Sequence, residues 1–199
     1  MIIPSLISLL QLVVHRRYLP AFLCQLLGLI LLLNTNSAFA TDCDMRLNEA
    51  ELDYGRLFRG ELSTGRHAQL IPLGKRKLTL TVLCQSPTNI GLRFDASPAG
   101  TDSFRFAENG IFKIVLNNAH VDGAPVFLAR PQTTASAGTI AQLVPNQPIL
   151  TISNGKVAVG KSFTVDIEID TYIDNETSKL RDETILEGSG TFTFIRDEG

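Results

Sequence analysis

Only two cysteines, Cys43 and Cys84, follow residue 40 of this 199-residue chain; the third, Cys24, lies earlier. Two thiols can pair as a disulfide, supply half of a metal site or act as nucleophiles. His67 and His120 stand singly and far from either cysteine, so the set is a poor one for zinc, which wants four ligands. Asp166, Glu168 and Asp170 alternate along one segment, with Asp174 and Glu176 just beyond, and oxygen ligands at that density can bind calcium. Acids that alternate with Val165, Ile167 and Ile169 also describe a solvated sheet face, and that reading is adopted here. No metal and no cofactor are expected. The chain has no Gly-x-Ser-x-Gly, no His-Glu-x-x-His, no phosphate-binding glycine loop and no dinucleotide fingerprint. No nucleophile, base and orienting group can be nominated together, so no catalytic residue and no enzymatic activity are expected. With no Trp, and only Tyr54 and Tyr172 past residue 40, there is little for a sugar to stack on.

What the thiols do depends on compartment, and the first forty residues bear on that. Leu19 to Leu33 is an apolar block preceded by His15-Arg16-Arg17 and followed by Ala38-Phe39-Ala40, a small-x-small cleavage pattern. Residues 1–40 therefore read as a secretory signal and residues 41–199 as the exported domain. The block is about fifteen residues long, where a membrane span needs roughly twenty, so no membrane span is expected in the mature chain. Phe22-Leu23 before Cys24 lacks the small residues of a lipoprotein signal. A second apolar stretch, Ile2 to Val14, precedes the arginines, and translation from a non-Met codon near Val13 or Val14 would give a leader of ordinary length.

Removing 40 of 199 residues leaves 159, enough for one domain with a real core. The whole chain has 18 basic and 20 acidic residues; without Arg16 and Arg17 the balance is 16 to 20, a formal charge of -4. Phosphate binding needs a concentrated basic footprint, so nucleic acid is not an expected partner. Two cysteines in an exported chain read as one disulfide, and closing a loop of about forty residues stabilises by about 4 kcal/mol in the chain-entropy model.

Period-two alternation recurs along the mature chain. Leu78, Leu80 and Val82 share one face of the run from Lys77 to Leu83, with Lys77, Thr79 and Thr81 on the other. Ile90 to Phe94 follows a turn placed at Ser86-Pro87-Thr88-Asn89. Ile111 to Leu116 reads as a central strand. Asp122-Gly123 and Asn154-Gly155 are hairpin signals, the first joining 119–121 to 125–128 and the second joining 149–152 to 156–159. Phe163 to Asp170 alternates most cleanly, and residues 191–195, Thr-Phe-Thr-Phe-Ile, close the series. Residues 131–142, rich in Thr, Ala, Ser and Gly, read as a flexible crossing loop. Many short strands with polar turns in one domain predict an all-β sandwich.

The order of particular residues goes further. Cys43 is followed by Leu52-Asp53-Tyr54-Gly55, then by a strand ending in Cys84, then by Pro87-Thr88 and Ile90-Gly91-Leu92. Val121-Asp122-Gly123, the long strand from Phe163 and Gly190-Thr191-Phe192-Thr193-Phe194-Ile195 come after. This order resembles the chaperone-usher fimbrial subunits, in particular the DUF1120-like group, and the spore-coat-U-like archaic pilins share much of it. The resemblance spans nearly all of residues 43–195.

It implies an immunoglobulin-like pilin sandwich that is incomplete, lacking its final strand. An open edge with unpaired backbone groups is aggregation-prone until another strand fills it. In the family a periplasmic chaperone lends that strand and an outer-membrane usher exchanges it for the extension of another fimbrial subunit. The resemblance implies export through the periplasm to a surface fimbrium and a role in cell adhesion. It assigns the groove region to Phe192, Phe194 and Ile195 with Val165, Ile167 and Ile169. Two departures stand out: cleavage after Ala40 leaves only Thr41-Asp42 before Cys43, which predicts an acceptor-only subunit, either at a tip or joined by some other contact, and Arg196-Asp197-Glu198-Gly199 replaces the usual penultimate aromatic. The alternative is a self-complete secreted β-sandwich that binds a carbohydrate or protein ligand as an adhesin.

Overall fold

The computed structural model describes residues 43–57, 70–175 and 185–195, and the leader and cleavage site expected at residues 1–40, His67, Glu176 and the tail 196–199 lie outside them. The described strands are β1 (Cys43–Leu47), β2 (Leu70–Asn89), β3 (Gly91–Asp95), β4 (Phe104–Phe106), β5 (Gly110–Val121) and β6 (Ala124–Pro125). There follow β7 (Phe127–Ala129), β8 (Ile140–Leu143), β9 (Ile149–Ser153), β10 (Lys156–Val157), β11 (Val159–Asp174) and β12 (Thr191–Ile195). Sheet A has the order β1-β2-β11-β5-β4, with β6 and β8 also on β5; sheet B has the order β10-β9-β3-β12, with β7 also on β9. The ladders are antiparallel, and the expected all-β sandwich with one disulfide is what forms. Among the described residues no helix is long and apolar enough to cross a membrane.

The alternating sequences place the core. Leu78, Leu80 and Val82 of β2, Phe112, Ile114 and Leu116 of β5, and Phe163, Val165 and Ile167 of β11 are all buried between the sheets. Sheet B answers with Leu92, Phe94 and Phe192. Phe94 is the hub of an aromatic cluster: its ring meets Phe104 edge-on at 5.0 Å and Phe112 at 5.9 Å, and lies tilted on Phe192 at 4.7 Å. Such offset arrangements add about 0.5–1.5 kcal/mol each beyond the area they bury.

Both Gly-containing dipeptides turn as their φ requirements dictate. Asp122 and Gly123 have φ of 49° and 79°, and Asn154 and Gly155 have 51° and 74°, the paired positive values that suit the twist of a two-residue hairpin. The first hairpin returns only through Ala124–Pro125 before the chain crosses to sheet B as β7, so the single strand expected over 125–128 is divided between the two sheets.

Three elements differ from expectation. The turn placed at 86–89 does not reverse the chain: β2 runs on to Asn89, and its ladder with β11 jumps from Leu83↔Ser162 to Thr88↔Gly160. Pro87 has no N–H to give a ladder, and it falls in the stretch the bulge leaves unpaired. The crossing loop at 131–142 contains a short 3-10 turn, Pro131–Ser136, and then β8, which pairs with Ile114 to Asn117 of β5. β1 is a further strand, on which Cys43, Met45 and Leu47 alternate with Asp44 and Arg46.

Candidate functional site

The two sides of the sandwich are unlike. On one side Leu128 of β7 exchanges both backbone hydrogen bonds with Gly138 (2.7 and 3.0 Å), while β7 pairs with β9 of sheet B and the following β8 pairs with β5 of sheet A. That side is tied shut. The sheet orders then place β1 and β12 together on the untied side, each the outer strand of its sheet and paired on one side only among the described residues.

β1 is held to β2 by the disulfide Cys43–Cys84, whose residues lie directly opposite in the ladder with Cα atoms 4.0 Å apart. The bridge thus fastens an outer strand to its neighbour. Cys43, Met45 and Leu47 of β1, with Cys84 of β2, are partly buried and pack against the core from this side; Phe194 of β12 does the same from sheet B.

The backbone of β12 can be oriented from its neighbours. Ile90 C=O accepts Thr151 N–H at 3.0 Å on the β9 side, so alternation turns the polar groups of Gly91, Arg93 and Asp95 toward β12. They face Ile195, Thr193 and Thr191 respectively. The N–H and C=O of Phe192 and Phe194 therefore point away from β3, toward the untied side, where no described strand meets them.

The residues assigned to the groove by resemblance divide into three groups. Phe192 is buried opposite Phe94, and Phe194 is partly buried opposite Leu92; both point inward. Ile195 does not join them: its partner is Gly91, and alternation puts it on the outer face of sheet B with Thr193 and Thr191. Phe194 and Ile195 cannot share one lining, because neighbouring residues of a strand face opposite ways. Val165 and Ile167 are completely buried and Ile169 partly so, on β11, which is flanked by β2 and β5. These three form the floor of the core and lie away from its rim.

Two motifs of the sequence prove to be anchors. The Asp53-Tyr54-Gly55 turn is closed by Gly55 N–H donating to Asp53 Oδ1 at 2.7 Å, with Gly55 at φ 71°. It delivers Tyr54 to the end of the sandwich, where its hydroxyl bonds to that of Thr171 at 2.7 Å and its ring stands 6.3 Å from Phe106. The Arg76 guanidinium lies over the ring, 4.7 Å from its centroid. Asp122 in turn pins the β11 bulge, its Oδ1 accepting from the Lys161 and Ser162 N–H groups at 3.0 and 2.8 Å. Those bonds hold its carboxyl below the usual Asp range.

The outward acids of β11 are matched to neighbours. Asp166 accepts from Thr79 Oγ1 at 3.1 Å and Asn118 Nδ2 at 3.0 Å, Glu168 pairs with Lys75 at 2.5 Å, and Asp170 accepts from the Tyr172 hydroxyl at 2.6 Å. The Lys75 hydrogen bond lowers the Glu168 pKa, and Glu168 raises that of Lys75. This is the solvated sheet face the alternation predicted. A shallow depression there, about 270 Å³, is lined by Lys77, Thr79, Asn117, Asp166 and Glu168. His120 hydrogen-bonds through Nδ1 to Asn118 O at 3.0 Å.

No family model matches this sequence, and no curated protein matches it. Among solved structures the chain is similar to the P pilus rod subunit PapA at 8% identity and a TM-score of 0.41, over 78% of this chain and 99% of that one, a likeness too distant for kinship or function to be read from it.

Proposed function

We propose that this chain is a non-catalytic structural subunit of a bacterial surface fimbria that accepts a strand from another protein at the untied side between β1 and β12. The supporting observation is the asymmetry of the sandwich: one side is closed through β7 and β8, while the other presents an outer strand whose Phe192 and Phe194 backbone groups meet no described strand. An extended segment laid along β12 would gain main-chain hydrogen bonds. Its inward side chains would cover Phe194, Met45 and Leu47. Under this reading a periplasmic chaperone supplies the first strand, an outer-membrane usher directs its replacement, and other fimbrial subunits are the final partners. The signal read at residues 1–40 fits export by that route, and a cleavage after Ala40 makes the subunit an acceptor without a donor extension.

The test is export of the full-length chain in a bacterial host with and without the chaperone encoded beside its gene. Alone, the chain should be degraded or aggregate; with the chaperone it should be recovered as a one-to-one complex. A monodisperse, stable monomer made without any chaperone would refute the proposal. N-terminal sequencing of the recovered chain reads the acceptor-only part separately, because a mature start well before Thr41 would restore a donor segment.

A further inference from the structure

The two outer strands on the untied side differ in how they are defended. β1 carries Asp44 and Arg46 on its exposed face, paired with each other at 2.6 Å. Charges of this kind discourage edge-to-edge pairing. β12 is Thr-Phe-Thr-Phe-Ile, uncharged, free of proline and glycine, and built from strong strand formers. It is also nearly a palindrome about Thr193.

We propose that β12 pairs antiparallel with β12 of a second copy of this chain, about a two-fold axis through Thr193. In that register Phe192 faces Phe194 of the second copy and Phe194 faces its Phe192. Thr193 faces itself, and Thr191 faces Ile195. The outward-pointing backbone groups are those of Phe192 and Phe194, so the two Phe positions become the hydrogen-bonded pairs and Thr193 the close, non-hydrogen-bonded one. The inner face gains two cross-strand aromatic pairs and the outer face a Thr–Thr contact, each a favourable neighbour in a sheet. Apart from the Thr193 pair on the axis, every contact is made twice by the same patch, as a closed two-fold interface requires. Sheet B of one copy continues into sheet B of the other, covering the partly exposed Phe194 of both. The pairing goes beyond the acceptor role and needs only that the β12 edge be free; an incoming donor strand and a second copy compete for the same groups.

Cysteine scanning of the exported chain, recovered as its chaperone complex and then released from it, tests this. At a non-hydrogen-bonded antiparallel pair the Cα atoms are about 4.5 Å apart, close enough for a disulfide. The chain's own Cys43–Cys84 bridge joins directly opposite residues at 4.0 Å. Thr193→Cys should give a cross-linked dimer on non-reducing gels, with peptide mapping placing the bridge between the two 193 positions and leaving Cys43–Cys84 intact. Thr191→Cys alone should not cross-link, because its two copies stand about 13 Å apart, four residues of strand. A mixture of Thr191→Cys and Ile195→Cys should. Thr193→Lys sets like charges face to face and should raise the dimer dissociation constant at least tenfold in sedimentation, with the circular dichroism of a folded chain retained.

Cross-linking of Thr191→Cys as efficient as that of Thr193→Cys would show unspecific association and overturn the proposal. So would a folded Thr193→Cys chain that stays monomeric. If the chain is recovered from the cell only as its chaperone complex and forms no cross-link after release from it, the acceptor reading survives while the pairing falls. A dimer that no strand can displace would have the reverse consequence.

Discussion

Gly190 just precedes β12 and is open to solvent, yet a side chain there should damage the core. A Cβ at this position would lie 2.2 Å from Phe94 Cζ, 2.6 Å from Phe94 Cε1 and 2.9 Å from Ala96 Cβ. The Phe94 ring cannot easily retreat, because Phe104, Phe112 and Phe192 surround it with centroids 5.0, 5.9 and 4.7 Å away. Local propensity predicts the opposite sign, since Gly→Ala at an unstrained position gains about 0.4–1 kcal/mol through the unfolded chain. Overpacking of this kind costs about 1–3 kcal/mol. Gly190→Ala should therefore destabilise by about 1–3 kcal/mol, a melting temperature lower by roughly 2–12 °C for a domain of this size. Urea unfolding of the oxidised chain followed by circular dichroism measures the effect. The cause is checked by adding Phe94→Leu, which removes the clashing atoms. The double variant should be more stable than the sum of the two single effects predicts, by at least about 1 kcal/mol. An Ala variant within about 0.5 kcal/mol of the parent, or strict additivity with Phe94→Leu, would refute the reasoning.

Tyr54→Phe removes the hydroxyl that satisfies the buried Thr171 Oγ1 and should cost about 1–2 kcal/mol in the same unfolding assay; Thr171→Val added to it should recover most of that loss, since no polar group is then left unpaired. Asp95, Asp102, Asp122 and Glu168 all have lowered pKa values, chiefly from hydrogen bonds donated by Thr193, by Lys113, by the Ser162 backbone and by Lys75 respectively. A carboxyl lowered in the folded state stabilises fully above its unfolded value, about 4, and this stability is lost as pH falls through the folded value. Stability should thus be flat near neutrality and decline below about pH 5, with a shallower acid decline in Asp122→Asn, whose Oδ1 still accepts the Lys161 and Ser162 bonds. Lys75 and Tyr172 are shifted upward by Glu168 and Asp170, so their contribution is present below about pH 10 and fades as pH rises through their folded values.

The strands that sequence made legible are those buried on one face. Leu78, Leu80 and Val82, and likewise Phe163, Val165, Ile167 and Ile169, alternate with polar residues because one side of the strand meets the other sheet and one meets water. The hairpins at Asp122-Gly123 and Asn154-Gly155 were legible for a local reason, the positive φ of both central residues. The disulfide followed from counting cysteines. Where strands are short or tied into place by distant partners, these local signals run out. β8 exists because Ile114 to Asn117 offers it a ladder, and its own four residues, surrounded by Thr, Ala, Ser and Gly, carry little pattern. The Ser-Pro-Thr-Asn stretch carried a genuine turn signal, but β11 accommodates it as a bulge in a strand that continues.

Alternation and composition settle which residues of a strand lie on one face and how many thiols are available to pair. They do not say which strand is outermost, because that depends on which other segments compete for each hydrogen-bonding edge. The closure of one side through Leu128 and Gly138, the exposure of the Phe192 and Phe194 backbone on the other, and the position of Ile195 on the outer face all arise from pairing over long chain separations. Thr-Phe-Thr-Phe-Ile reads alike as a central or an edge strand; tertiary pairing with β3 alone among the described strands makes it an edge.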